Sequence, residues 1–440
     1  MKSFVNTLPL ALVTVLCALI FPAPVSAEFD VEEQAMIDWI DEHSEDAIDL
    51  LEQLVNISSG TMNQEGVRKV GDVLRAELDE LGLETEWIVL PAEMQRAGHL
   101  VGRLKGTRGR KMLLIGHLDT VFETSDESQA FLREGNIGKG PGIDDMKSGD
   151  VIIIYAIKAL RENGVLDDAQ IVAFFTGDEE KTGKPLSVSR KDLIEAGQWA
   201  DVALGFEGAV NYDGSDWATI ARRSSSEWRL EVTGKQAHSS RVFSEDVGAG
   251  AIYEAARIIS AFHDEVRGEE HLTFNAGTIL GGTDVQYEFE QNRGSTFGKT
   301  NVVPCKAIVH GGIRTISLEQ LERAKEAMRA VVAQHLPHTD ASISFVDGYP
   351  PMFPTDGNKR LQEKFSRINE ELGRGPMPAL DPSRRGAADV SFVAPYTDAL
   401  AGLGAIGEGG HSPNESLELD SMTLAIKRAA ILIYRLSRER

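Results

Sequence analysis

Apolar and polar positions change their period along the chain, and each change marks an element. Residues 31–55 set Ile37, Ile40, Ile48, Leu51, Leu54 and Val55 among acids at helical spacing. After the loop Asn56-Ile57-Ser58-Ser59-Gly60, a second amphipathic stretch from about Gln64 to Leu81 predicts a helix closed by Gly82. Glu84 to Leu90 and Leu100 to Leu104 read as strands, and Gly106-Thr107-Arg108-Gly109 as a hairpin-type turn into the next one. That next run, Met112-Leu113-Leu114-Ile115-Gly116, is apolar without interruption, as in a strand of a parallel sheet buried on both faces. Gln170 to Phe175 and Val202 to Phe206 repeat the pattern. Before both of them, Val151, Ile152, Tyr155, Ala156, Ile157 and Leu160 predict a helix ending at Gly164.

From about Thr219 the texture is different. Ser226 to Val232 alternates, a helix runs from about Val247 to His263, and strands follow at Leu272 to Ile279, Gln286 to Phe289 and Lys306 to Arg314. The helix Leu318 to His335 and the strand Ser342 to Phe345 complete a β-α-β-β-α-β order, which fits a two-layer α+β domain. Pro350, Pro351 and Pro354 mark its far boundary. α/β texture then returns, with a helix near Lys359 to Leu372, a glycine-bearing loop at Arg384 to Asp389, a short apolar helix, and a closing amphipathic helix from Met422 to Leu436. The expected division is a leader at 1–27, an α/β unit in two parts, 28–218 and 349–440, and an inserted α+β unit at 219–348.

The first 27 residues carry Met1-Lys2, an apolar run from Leu8 to Phe21 and a small-x-small ending at Ser26-Ala27. This reads as a secretory signal cut after Ala27, so the mature chain is expected in a bacterial periplasm or outside the cell, with no stable membrane span. Losing Cys17 with the leader leaves Cys305 alone, too few for an internal disulfide. The net charge of −23 over 440 residues argues against a nucleic-acid partner and suits carboxylates gathered around cations.

Chemistry collects where the apolar runs stop. The strand at Met112 ends in Gly116-His117-Leu118-Asp119, beyond the carboxyl end, where open α/β sheets bind ligands. His117 could ligate a metal while Asp119 orients its ring. Taken alone, His-x-Asp is simply a strand running into a polar loop. The next strand ends in Asp178-Glu179-Glu180 and the third in Glu207-Gly208. Gly140-Pro141-Gly142-Ile143-Asp144-Asp145-Met146-Lys147 precedes a helix. Two aspartates there argue for a cation rather than a phosphate.

The ordered set Gly-His-Leu-Asp-Thr, Gly-Pro-Gly-Ile-Asp-Asp-Met-Lys, Asp-Glu-Glu, Phe-Glu-Gly and a late Gly-His-Ser resembles the M20 family of co-catalytic zinc peptidases, in its glutamate-carboxypeptidase branch. The resemblance covers essentially the whole mature chain. It implies a zinc-exopeptidase-like domain with a mixed, largely parallel sheet, plus an inserted lid through which two copies form a homodimer. It makes Asp145 the carboxylate bridging two Zn²⁺ ions, with His117 and Glu207 completing one site and Glu180 and His411 the other; cobalt or manganese could occupy the same ligands. Asp119 would hold the His117 ring and Glu179 would be the general base. A cis peptide is expected between Asp145 and Met146. In the lid, His238 would steady the developing oxyanion in the partner's site, and Asn301 and Arg314 would bind substrate. The implied substrate is a small peptide or N-acyl amino acid, cleaved at an amide next to a free carboxylate, with glutamate the first guess for the residue released. The rival readings are an N-acyl amino acid deacylase or dipeptidase, and a metal-dependent peptide-binding protein without turnover. Three departures stand out. The segment Gly281 to Thr300 is longer, Gly386-Ala387-Ala388-Asp389 replaces Gly-Gly-Thr-Asp behind Arg384-Arg385, and Tyr349 stands where the branch has an arginine; the last two bear on which residue is released.

Overall fold

The computed structural model describes residues 29–123 and 130–439, and the leader expected over residues 1–27 lies outside them. The principal strands are β1 (Glu84–Ile88), β2 (His99–Lys105), β3 (Arg108–His117), β4 (Ala169–Thr176), β5 (Val202–Gly205), β6 (Ser225–Gly234), β7 (Thr273–Gly282), β8 (Lys306–Arg314), β9 (Thr339–Tyr349) and β10 (Asp398–Leu400). The principal helices are α1 (Val31–Glu42), α2 (Ser44–Val55), α3 (Gln64–Glu80), α4 (Ser148–Glu162), α5 (Lys191–Trp199), α6 (Ala251–Ala261), α7 (Leu318–Val332), α8 (Asp356–Glu371) and α9 (Leu419–Leu436).

A six-stranded sheet in the order β1-β2-β4-β3-β5-β10 forms the frame. β4, β3, β5 and β10 run parallel, and β1 and β2 are antiparallel at one edge. The sheet is therefore mixed and largely parallel, as expected. Alternation along β3 divides its apolar run between two cores. Met112 and Leu114 pack with α1 to α4 and α9, while Leu113 and Ile115 pack with α5 and the segment around Val390. The turn at Gly106 to Gly109 does not close a hairpin. β4 lies between β2 and β3, and the Thr107 and Arg108 amides both donate to the Asp168 carbonyl at 2.9 and 2.8 Å. A glycine turn fixes a local reversal, whereas the pairing of apolar runs decides which strand fills the next slot.

The inserted layer is a sheet in the order β7-β8-β6-β9, antiparallel throughout, with α6 and α7 against one face. It has its own core, including Trp228, Leu230, Ile258, Val309 and Met328. The strand and helix order is the one expected. α6 starts at Ala251 rather than Val247, because Gly248 and Gly250 hold φ of +76° and +83°, which ends any helical path before them. The long segment contains a hairpin, Asp284–Glu288 paired with Arg293–Phe297. The chain enters and leaves the layer along neighbouring strands. The Arg222 amide donates to the Met352 carbonyl at 3.0 Å, the Met352 amide donates to the Arg222 carbonyl at 2.9 Å, and Ser225 faces Tyr349. Among the described residues no helix is long and apolar enough to cross a membrane.

Candidate metal centre

Because β3, β4 and β5 are parallel neighbours, their carboxyl ends open on one edge of the sheet. His117 pairs with Thr176, and Ile115 with Gly205. Glu179 and Glu180 follow β4, and Glu207 follows β5. Asp145 comes from the turn before α4 and His411 from a late loop. These residues, from five separate stretches of chain, converge. His117 Nε2 lies 3.2 Å from Asp145 Oδ1, and His411 Nε2 lies 3.0 Å from Asp145 Oδ2 and 3.3 Å from Glu180 Oε2. Asp145 thus offers one oxygen to each imidazole. Ligand atoms of Asp145, Glu180 and His411 all lie within 4.8 Å of one another, and so do those of His117, Glu179 and Glu180. Glu207 lines the same cavity of about 460 Å³, but its Oε2 accepts from Arg222 Nη2 at 2.6 Å. A cation would therefore meet its other oxygen.

Several of these groups are held from behind. The Glu415 carboxylate accepts from the amides of Gly142, Asp144 and Asp145 at 2.9, 2.8 and 2.9 Å, which pins the turn carrying Asp145. The Asp145–Met146 peptide is cis, as the resemblance implied. Lys147 Nζ donates to the Ile57 carbonyl at 2.8 Å and ties that turn to the loop before α3. His411 sits at φ +62°, an uncommon conformation for a residue with a Cβ. The His117 ring departs from expectation. Its Nδ1 lies 3.0 Å from the main-chain oxygen of Asp119 and 3.7 Å from the carboxylate, so the carbonyl holds the ring. The buried Asp119 carboxylate serves the next strand instead, accepting from Thr61 Oγ1 at 2.6 Å and from the amides of Glu179 and Glu180 at 3.0 and 3.1 Å.

The cavity concentrates negative charge out of water. Burial above all pushes Glu180 up to about 8 and Asp144 up to about 7, with the neighbouring Asp145 charge adding to both. Burial also holds Glu179 well above the carboxylate range. Burial would raise Asp145 too, but hydrogen bonds from His117 and His411 hold it well below. The bond to Asp145 lifts His411 to about 9. Glu180 Oε1 and Asp144 Oδ1 are buried with no hydrogen-bonding partner, an arrangement that is costly unless something positive meets them. The donors are imidazole nitrogen and carboxylate oxygen without thiolate, a set suited to zinc, cobalt or manganese. The residues present fit a pair of divalent cations.

The lid residues stand apart. His238 is exposed, and its Nδ1 shares a hydrogen bond with Ser240 Oγ at 2.8 Å. The Asn301 carbonyl accepts from the neighbouring Ser239 amide at 2.9 Å, so His238 and Asn301 belong to one corner of the layer. Arg314 ends β8 opposite Thr273. None of the three is among the residues lining the cavity within one chain. Sequence reasoning missed Glu415, Arg222, Arg190 and Arg385. Arg385 lines the cavity beside Glu207 with Nη2 donating to the Gly208 carbonyl at 3.0 Å, and burial lowers it to about 10. Only Arg385 gave a signal, as one of the two arginines preceding the altered motif Gly386-Ala387-Ala388-Asp389.

The sequence pattern of Peptidase family M20/M25/M40 matches residues 113–435. Carboxypeptidase G2 from Pseudomonas sp. (strain RS-16) is 29% identical over 391 residues, covering 88% of each chain. Succinyl-diaminopimelate desuccinylase from Gluconobacter oxydans (strain 621H) is 25% identical over 385 residues, covering 86% of this chain and 94% of the relative. Among solved structures, a dinuclear metal-binding peptidase of the M20 family from Bacillus subtilis superposes with a TM-score of 0.61 at 16% identity, covering 91% of this chain and 100% of the other.

Proposed function

This chain belongs to peptidase family M20/M25/M40, and from that premise we propose a two-zinc hydrolase that cleaves an amide bond next to a free carboxylate and releases a C-terminal amino acid, glutamate first among them. The observation that carries this reading is the meeting of His117, Asp145, Glu180 and His411, with Asp145 placed between the two imidazoles. His117, Asp145 and Glu207 would hold one cation, and Asp145, Glu180 and His411 the other. Bound there, the pair would polarise the scissile carbonyl and acidify a water. Glu179 takes the proton of the attacking water on its carboxylate and delivers it to the departing nitrogen. Its buried, acid-crowded setting, which raises its proton affinity, supports that role.

His238, Asn301 and Arg314 complete the reading only in a dimer, where the exposed corner carrying His238 would reach the site of the second copy. The similarity to carboxypeptidase G2 supports the choice of a C-terminal residue. A second reading, an N-acyl amino acid deacylase, draws support from Arg222 and Arg385 on the cavity wall, since cationic walls suit an acyl group with a carboxylate of its own. Export to the periplasm remains part of the proposal through the leader sequence.

The test is hydrolysis by metal-loaded protein of peptidyl- and folyl-glutamates against N-acetyl and N-succinyl amino acids and dipeptides. Glu179→Ala is expected to lower kcat by a factor of about 10²–10⁴ while both metal equivalents stay bound. If wild type and Glu179→Ala are equally inert with metal loaded, the chain is a binding protein and the enzyme reading falls.

A further inference from the structure

The two connections that join the inserted layer to the sheet each send one side chain to a residue of the candidate site. On the incoming strand, Arg222 is 2% exposed and donates to the Glu207 carboxylate at 2.6 Å and to the Gly386 carbonyl at 3.1 Å. On the outgoing strand, Tyr349 is the last residue of β9, and its hydroxyl donates to the main-chain carbonyl of Glu179 at 2.7 Å. That hydroxyl also accepts from Arg190 Nη2 at 3.4 Å, and the ring packs on Phe392 with centroids 4.9 Å apart. Although Tyr349 was expected to bear on which residue is released, its polar atom is committed to the protein's own main chain.

Glu179 must be held by its backbone, because its carboxylate has to stay free to move a proton. Asp119 grips the dipeptide Glu179-Glu180 through its two amides. Asp178, just before it, is anchored by fully buried Arg190, whose Nη1 bonds its carboxylate and whose Nη2 bonds its carbonyl at 3.0 Å. Arg190 Nε in turn bonds Asp389 at 2.7 Å. The peptide after Glu179 is therefore held at its N–H by Asp119 and at its carbonyl by the Tyr349 hydroxyl, and losing either bond lets its plane tilt.

We propose that Tyr349 is a positioning residue for Glu179, acting through the Glu179 carbonyl, so that the junction with the inserted layer forms part of the site. This rests on the reading of Glu179 as the general base. Tyr349→Phe removes the hydroxyl and keeps the ring against Phe392. In metal-loaded protein it is expected to lower kcat about tenfold, with KM within about twofold and with metal content and melting temperature unchanged. In a Glu179→Asp background, where the carboxylate is already displaced by a methylene, the same change is expected to cost less than about twofold. An inactive wild type would sink the general-base reading itself. An active wild type with kcat unaltered by Tyr349→Phe, or an equal loss in both backgrounds, overturns the positioning role alone. So does a loss of kcat that follows loss of metal or of melting temperature.

Discussion

His99 shows how a single side chain can carry a pH dependence away from the metal ligands. Its ring is fully buried, with Nε2 donating to the Ser189 carbonyl at 2.9 Å and Nδ1 accepting the Gly177 amide at 3.3 Å. The second bond requires the neutral ring, because a protonated Nδ1 cannot accept. Burial holds its pKa below the ordinary value of 6.5; nearby Asp178 opposes that and Arg190 reinforces it. The unfolded chain therefore takes up the proton first as pH falls. The stabilisation from His99 is complete above about pH 6.5 and fades on acidification towards the lowered folded value. In urea unfolding, the advantage of wild type over His99→Gln is expected to shrink from about pH 7.5 to about pH 5.5; an advantage that grows would contradict the neutral-ring assignment. His99 sits in no motif, and its buried place behind Asp178 emerges only from the fold. The residues that converge on the cavity could be singled out from sequence because each ends an apolar run or sits in a glycine frame, whereas their division into ligands and base came from the family resemblance alone. Glu415 and Tyr349 could not, since their partners lie 270 and 170 residues away, and Arg190 could not because it joins nearby Asp178 to Asp389, 199 residues off.

At the scale of elements, long periodic stretches announced themselves and short ones did not. β3, β4 and α9 follow from unbroken or helical apolar spacing. The helical pattern over residues 31–55 divides at His43, whose amide and ring Nδ1 both meet the Trp39 carbonyl. The three-residue strands Leu132–Glu134, Ile137–Lys139 and Ser416–Glu418, with Gly407–Glu408, assemble into a small sheet beside the metal centre. No such piece is long enough to show a period, and its pairing is purely tertiary. Capping at α7 is legible and testable. Ser317 accepts the Gln320 amide at 3.1 Å, and the Gln320 side chain accepts the Ile316 amide at 2.9 Å. Ser317→Ala is expected to cost about 1 kcal/mol of stability by chemical denaturation, without altering hydrolysis. A cost near zero would mean that water replaces the cap.

For the molecule as a whole, the proposed cations would be linked to the fold. The centre draws on segments from residue 117 to residue 411, so a metal bound to the native state and not to the unfolded chain stabilises the entire frame. Chelation is expected to lower the melting temperature, by an amount that grows with the free metal concentration it removes, and added zinc is expected to restore it. A melting temperature indifferent to chelator would place the cations outside the reading given above. The paired amides of Arg222 and Met352 have one more consequence. An excursion of more than a hundred residues begins and finishes at adjacent points, so evolution or an engineer could trade it as a cassette without redrawing the sheet. Yet the splice points fall on the same short ribbons that brace Glu207 and the Glu179 peptide. A transplant cut on the layer side of both Arg222 and Tyr349 would leave the recipient's own bracing residues in place; one that takes those two residues along would import the donor's alignment of the reacting groups.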